Sequence, residues 1–248
     1  TPASVARCRC QARAAAGGTL LANDPHLGLS APAIWYLARL ELSAGGVIGA
    51  TIPGIPAVLS GRSDRLGWGL TSPYLDDQDV FLEEVNPDAA GQYRTPDGWA
   101  PFETRRSIVE IEGEAPATVT LRRTENGPVL PPGRFGLGAV TPPGHVAAVS
   151  WTALSEEDTS LGAAMGLMYA DTVEEALDAA ALYVAPSQML TVVDGERIAM
   201  KLIGAMPRRD AAHQTQGRMP AFGYRPENRW QGTLPYAANP GFRSLIHI

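Results

Sequence analysis

Cysteine is almost absent from this 248-residue chain. The two that occur, Cys8 and Cys10, are separated by one residue. That spacing is too short for an ordinary strain-free disulfide, and two thiols without a nearby His or carboxylate cluster are too few for a zinc site. No apolar run reaches the length of about 18 residues that a membrane helix needs, so the chain reads as soluble and no membrane contact is expected. No basic block accompanies the net charge of −6, which argues against nucleic acid as a partner. The G-x-S-x-G elbow, the P-loop, H-E-x-x-H and C-x-x-C are all missing. The opening "TPASVARCRC" holds neither an initiator Met nor the apolar core of a signal peptide. The closing "GFRSLIHI" ends on an apolar run without a cap, so both ends are expected to be those of a processed or truncated chain.

What is present points to a β-rich globular chain. Hydrophobic residues make up 45%, and there are 26 glycines and 21 prolines, enough punctuation for many turns. Residues 45–60 read as short buried strands. Strands are also expected at 66–71, 80–85 and "VAAVSWTAL", with a hairpin of "SIVEIEG" and "ATVTLRRT". "MLTVVDGERIAMKLIG" reads as two strands joined by Asp194–Gly195, a type I′ hairpin signal. One helix is clear. Thr172 and Glu175 form a capping box, and Val173, Ala176, Leu177, Ala180, Ala181 and Val184 recur at helical spacing. No internal repeat occurs, and residues 1–248 read as a single domain.

Two stretches carry chemistry. In "LLANDPHLGLSAPAIWYLARLEL", Asn23, Asp24 and Pro25 break a short strand and place His26 in a tight turn. From Ala33 the pattern alternates, with Ile34, Tyr36, Ala38, Leu40 and Leu42 on one strand face. In "YLDDQDVF", Asp76, Asp77 and Asp79 crowd one loop. From the residues alone this is either a solvated acidic loop or an oxygen site for a hard cation such as calcium.

Those stretches, with "TIPGIPAVLSGRSDRLGWGLTS", "RRTENGPVL" and "ENRWQGTLPY", resemble the β chain of the penicillin amidase family of N-terminal nucleophile hydrolases. They occur in the same order and at similar spacing from Leu20 to Tyr236. The resemblance implies an α+β fold, a four-layer αββα sandwich with stacked antiparallel sheets. It implies hydrolysis of a linear amide, of the penicillin or N-acyl-homoserine lactone type. It implies self-cleavage of a precursor, so that a serine becomes the first residue and its own α-amine acts as base. A serine hydroxyl needs such a base, and an α-amine titrates near pH 8, so no histidine is required. By position the nucleophile falls on Ser4, without a gap to His26, whose main chain helps to place the nucleophile. Ser72 falls where a backbone N–H forms half of the oxyanion hole. Asp76 and Asp79, with a carbonyl from Gln78, fall on the family's structural calcium site. The resemblance also implies an α chain from the same precursor as partner, and a periplasmic or secreted location.

Some positions depart from the pattern. Val5 and Arg7 stand where Asn and Trp are usual, and residues 1–17 are atypical, the kind of text that a local reading-frame error produces. Asn126 stands where a His is common, and Met189 where an Asn is. The Asn-rich segment that supplies a second oxyanion donor does not appear. The chain alone is therefore expected to be inactive. The alternatives are a non-catalytic binding or remnant protein on the same fold, and a β-rich ligand-binding protein.

Overall fold

The computed structural model describes residues 5–9, 18–25, 27–28, 30–73 and 75–245. In chain order the strands are β1 (Val5–Arg9), β2 (Leu20–Asp24), β3 (Tyr36–Leu42), β4 (Gly45–Thr51), β5 (Ser60–Arg62), β6 (Gly67–Thr71), β7 (Gln78–Glu84), β8 (Gln92–Thr95) and β9 (Gly98–Pro101). They continue with β10 (Glu103–Val109), β11 (Ala117–Thr124), β12 (Gly127–Leu130), β13 (His145–Trp151), β14 (Gln188–Val193), β15 (Arg197–Ile203), β16 (Ala221–Phe222) and β17 (Gly241–Leu245). Two α-helices occur among the described residues, α1 (Ser160–Leu167) and α2 (Val173–Ala180). The chain groups into two units, one of residues 1–75, 155–206 and 234–248, the other of residues 76–154 and 207–233.

The first unit is built on a seven-stranded antiparallel sheet in the order β17-β15-β14-β6-β5-β4-β3. Its core joins Val47, Leu66, Trp68, Leu190, Val192 and Ile203 of the sheet region to Ala164, Leu167, Ala176 and Leu177 of the two helices. Burying each large apolar side chain of this set contributes roughly 1.5–3 kcal/mol. The sheet and helices are tied by polar pins as well. Trp68 Nε1 donates to Val58 O at 3.0 Å, and Val58 N meets the sulfur of Met168 at 3.3 Å. Half of the capping box is present: Thr172 Oγ1 accepts from Glu175 N at 3.2 Å, whereas Glu175 Oε2 reaches past the cap and accepts from Asp171 N at 2.8 Å.

Three local readings change. Helix α1 is absent from the sequence reading, because "SLGAAMGL" is apolar on all sides and carries two glycines, so no amphipathic stripe marks it. The β14–β15 turn has Gly195 and Glu196 at its centre, with Asp194 N donating to Arg197 O at 3.0 Å, and Gly195 does not take a positive φ. Asp194 is thus the residue before the turn, not part of a type I′ centre. Its carboxylate accepts from Glu196 N, Arg197 N and, at 3.1 Å, from Val173 N at the start of α2. Residues 5–9, inside the segment read as atypical, form β1. It pairs antiparallel with β2, with Val5 opposite Asp24.

The second unit is a six-stranded sheet in the order β10-β11-β12-β13-β7-β16, with the ribbon β8-β9 beside it. Its pairs are antiparallel except β16-β7, which is parallel. The hairpin expected over residues 107–124 is there as β10 and β11, with β10 starting earlier, at Glu103. At the centre of this unit Glu83 is wholly buried on β7. Its Oε1 accepts from Thr124 Oγ1 at 2.8 Å and Asn126 Nδ2 at 2.9 Å, while Oε2 has no partner. A Cβ on Gly223 would sit 2.2 Å from that oxygen, so any other residue there would force the Glu83 carboxylate to move.

Candidate active site

Two of the residues that the family resemblance marks, Ser4 and His26, lie outside the described residues. Ser72 is described. Strand β6 ends at the buried Thr71, and the chain leaves the sheet at Ser72, which is exposed. Ser72 lines a cavity of about 460 Å³ within the first unit. Pro25 and Leu27, the neighbours of His26 in sequence, line the same cavity, so these residues after β2 and the end of β6 are brought together there. Trp35, Ile52 and Leu70 make much of the rest of the wall apolar.

Polar groups at this cavity are few and placed. Asn23, at the end of β2, donates from Nδ2 to Ser60 Oγ at 2.8 Å and to Leu70 O at 3.3 Å. It can lie against β6 because Gly69 has no side chain; a Cβ there would be 2.7 Å from the Asn23 side chain. Its Oδ1 is buried without a partner, as is Trp35 Nε1. Burial, reinforced by the charge of Asp158, pushes the Tyr183 phenol up to about 12, so it remains a neutral donor at any working pH. Ser160 fixes the far wall. Its hydroxyl accepts from Val184 N at 2.9 Å and Ala185 N at 2.8 Å and donates to Asp158 Oδ1 at 2.5 Å. Neither Asn23, Tyr183 nor Ser160 stands out in the sequence as a site residue. Asn23 could have been found, since it lies in the same motif as His26. Ser160 sits in a helix that carries no amphipathic signal.

An apolar cavity with a few fixed polar atoms is the usual form of a small-molecule site. This one can take an apolar group of moderate size and leave a carbonyl near the backbone that follows β6.

The acidic loop belongs to the second unit, where it forms a separate cluster. Asp79 is 4% exposed. Arg209 Nε donates to its Oδ2 at 2.9 Å and Arg209 Nη2 to its Oδ1 at 3.0 Å, a bidentate pair. Trp230 Nε1 donates to Oδ2 at 2.5 Å. Arg209 Nη2 also donates to the backbone O of Asp76 at 2.9 Å. The Asp76 carboxyl is exposed and 4.0 Å from Arg209. Partial desolvation raises its pKa; Arg209 opposes that, and Asp79 and Asp77 reinforce it. Gln78 is exposed and pairs with Trp151 across β7 and β13. Calcium takes six to eight oxygen ligands. Here both oxygens of the central carboxylate are engaged by N–H donors. Among the described residues no group of three His, Cys, Asp or Glu is arranged to hold a metal. The residues present do not fit the calcium ion that the resemblance implies.

Comparison with known proteins follows the same lines. The penicillin amidase family model matches residues 10–244. The chain is 28% identical over 225 residues to the acyl-homoserine lactone acylase QuiP of Pseudomonas aeruginosa, covering 89% of this chain and 26% of that protein. It is 27% identical over 227 residues to penicillin G acylase of Escherichia coli, covering 89% and 25%. The solved thermostable penicillin G acylase of Alcaligenes faecalis superposes with a TM-score of 0.83 at 28% identity, covering 96% of this chain and 41% of that one. The chain thus spans about a quarter of the length of the curated relatives it matches.

Proposed function

The chain belongs to the penicillin amidase family and has its α+β N-terminal nucleophile hydrolase fold, and from that premise we propose that it is the catalytic β portion of a linear-amide hydrolase whose nucleophile is Ser4. The observation that carries the reading is the cavity shared by Ser72, Pro25 and Leu27. It supports the placing of an oxyanion donor and the sequence neighbours of His26 around one small-molecule pocket. The apolar wall of Leu27, Trp35, Ile52 and Leu70 supports an apolar acyl group as the part of the substrate held there.

In this reading the Ser4 Oγ attacks the amide carbonyl carbon. Its proton passes to the α-amine of Ser4 through a bridging water. The Ser72 N–H meets the developing oxyanion, a backbone contact that survives any side-chain change. The His26 main chain orients the amine. The C–N bond then breaks, the amine product leaves with the proton, and an acyl ester remains on Ser4. Water hydrolyses that ester, releasing the carboxylic acid and restoring the hydroxyl. The same reading pairs the chain with an α chain from one precursor and places the mature protein in the periplasm or outside the cell. No helix among the described residues is long and apolar enough to cross a membrane.

Two substitutions in the complete precursor test it. Ser4→Ala is expected to abolish both self-cleavage and turnover, because one hydroxyl serves both steps. His26→Gln is expected to keep substantial activity, whereas loss of a histidine base would cost roughly 10²–10⁴-fold. An active Ser4→Ala, or a well-folded but inactive His26→Gln, would overturn the mechanism.

A further inference from the structure

We infer that the guanidinium of Arg209 is the resident cation of the Asp76–Asp79 loop, and that this loop is held in shape without a divalent metal.

The charge balance is local and permanent. Asp79 is buried and Arg209 mostly covered, with side chains 4% and 11% exposed. A guanidinium stays protonated at any pH at which a protein is folded. Its planar fork meets both carboxylate oxygens, and one further N–H reaches the Asp76 carbonyl, an atom in the very loop that a calcium ion would have to gather. Trp230 supplies a third N–H to the same carboxylate. His213 faces it too. Its Nδ1 accepts from Thr215 N and Gln216 N, so the ring proton sits on Nε2, 4.0 Å from Asp79 Oδ2.

The surrounding chain is shaped to the ion pair. Gly217 lies over it with φ +76°, and a Cβ there would come 2.6 Å from Asp79 Oδ1 and 2.7 Å from Arg209 Cζ. Both the backbone conformation and the lack of space demand glycine. Three of the roughly four lone-pair sites of the Asp79 carboxylate are taken by N–H donors, so a metal could gather little from it without displacing a donor and weakening the pair with the guanidinium, which is a steep penalty. Arg209 reaches Asp79 from 130 positions away in sequence. It therefore does for the loop what a bridging ion would do, joining residues 76–79 to the segment after residue 207.

The test is made on the intact protein, with calcium chloride and EDTA as the probes. Metal content is measured after desalting from calcium-containing buffer, and melting is followed in 5 mM calcium (about that concentration) and in excess EDTA. The inference expects no stoichiometric calcium and the same melting temperature, within about 1 °C, in both. Arg209→Ala and Asp79→Asn are each expected to lower the melting temperature by roughly 10 °C. The double variant is expected to melt no lower than the worse single variant, because both remove one interaction. Retained stoichiometric calcium, or a wild-type melting temperature that rises with calcium, would overturn the inference, and that measurement needs no variant to fold. Additive effects of the two substitutions would overturn it as well.

Discussion

Replacing Ser160 by alanine should loosen one wall of the cavity and lower the stability of the first unit together. The hydroxyl accepts from two consecutive backbone groups, Val184 N at 2.9 Å and Ala185 N at 2.8 Å. Ala185 is 5% exposed, so in the variant its N–H is largely shielded from water. Leaving a buried donor unpaired costs about 1–3 kcal/mol, and Val184, half-buried, loses somewhat less. The sum is about 2–4 kcal/mol. For a protein of this size that is a fall in melting temperature of roughly 5–15 °C. Ala185 and Pro186 both line the cavity, so the same change should raise KM for an amide with an apolar acyl group more than it lowers kcat. Differential scanning fluorimetry and steady-state kinetics on the processed enzyme read the two effects. A Ser160→Ala variant that melts within about 1 °C of wild type would refute the reasoning, since the two N–H groups would then have found other partners.

Further consequences follow from buried carboxyls and from the cavity. Burial raises the Glu83 pKa above its unfolded value, with Thr124 and Asn126 opposing. The folded state therefore holds that proton more tightly, and the stability tied to it is present at low pH and lost as pH rises from the unfolded pKa through the folded one. Glu83→Gln should accordingly gain stability over wild type at pH 7 but not at pH 4; a pH-independent difference in urea midpoint would contradict this. Asp194 behaves oppositely. Burial would raise its pKa, but the N–H groups of Glu196, Val173 and Arg197 together bring it below the ordinary value. Its contribution is thus present above the unfolded pKa and lost as pH falls through the folded one. Asp194→Ala should cost about 2–4 kcal/mol at pH 7 and progressively less in acid, and a constant cost across pH would tell against it. Ala164→Phe puts a ring into the cavity wall, and should weaken turnover of amides with bulky acyl groups well before it affects acetyl amides; equal loss on both would remove the cavity as the acyl site.

What was legible in the sequence was mainly local. The capping pair Thr172 and Glu175 is only three positions apart, and the alternation of β3 and of the β10–β11 hairpin needs only neighbours to be seen. The sequence marks the turn at Asp194 but puts its centre one residue early, because a carboxylate that caps two N–H groups looks in sequence like half of an Asp-Gly turn. The site is where local pattern runs out. Nothing near Asp79 says that Arg209 and Trp230 will fill it, since they come from 130 and 151 positions further on. An acidic triplet read alone looks like a metal loop, and only the tertiary structure places a guanidinium against it.

The central claim is that Ser4 becomes the first residue of the mature chain and carries the acyl group. The direct measurement is mass spectrometry of the complete precursor after expression, before and after brief exposure to a slowly hydrolysed amide or ester with an apolar acyl group. The account predicts a mature chain beginning at Ser4, and a single acyl mass addition that maps to its N-terminal peptide. A mature chain that retains Thr1 to Ala3, or an acyl group carried on any other residue, would contradict it.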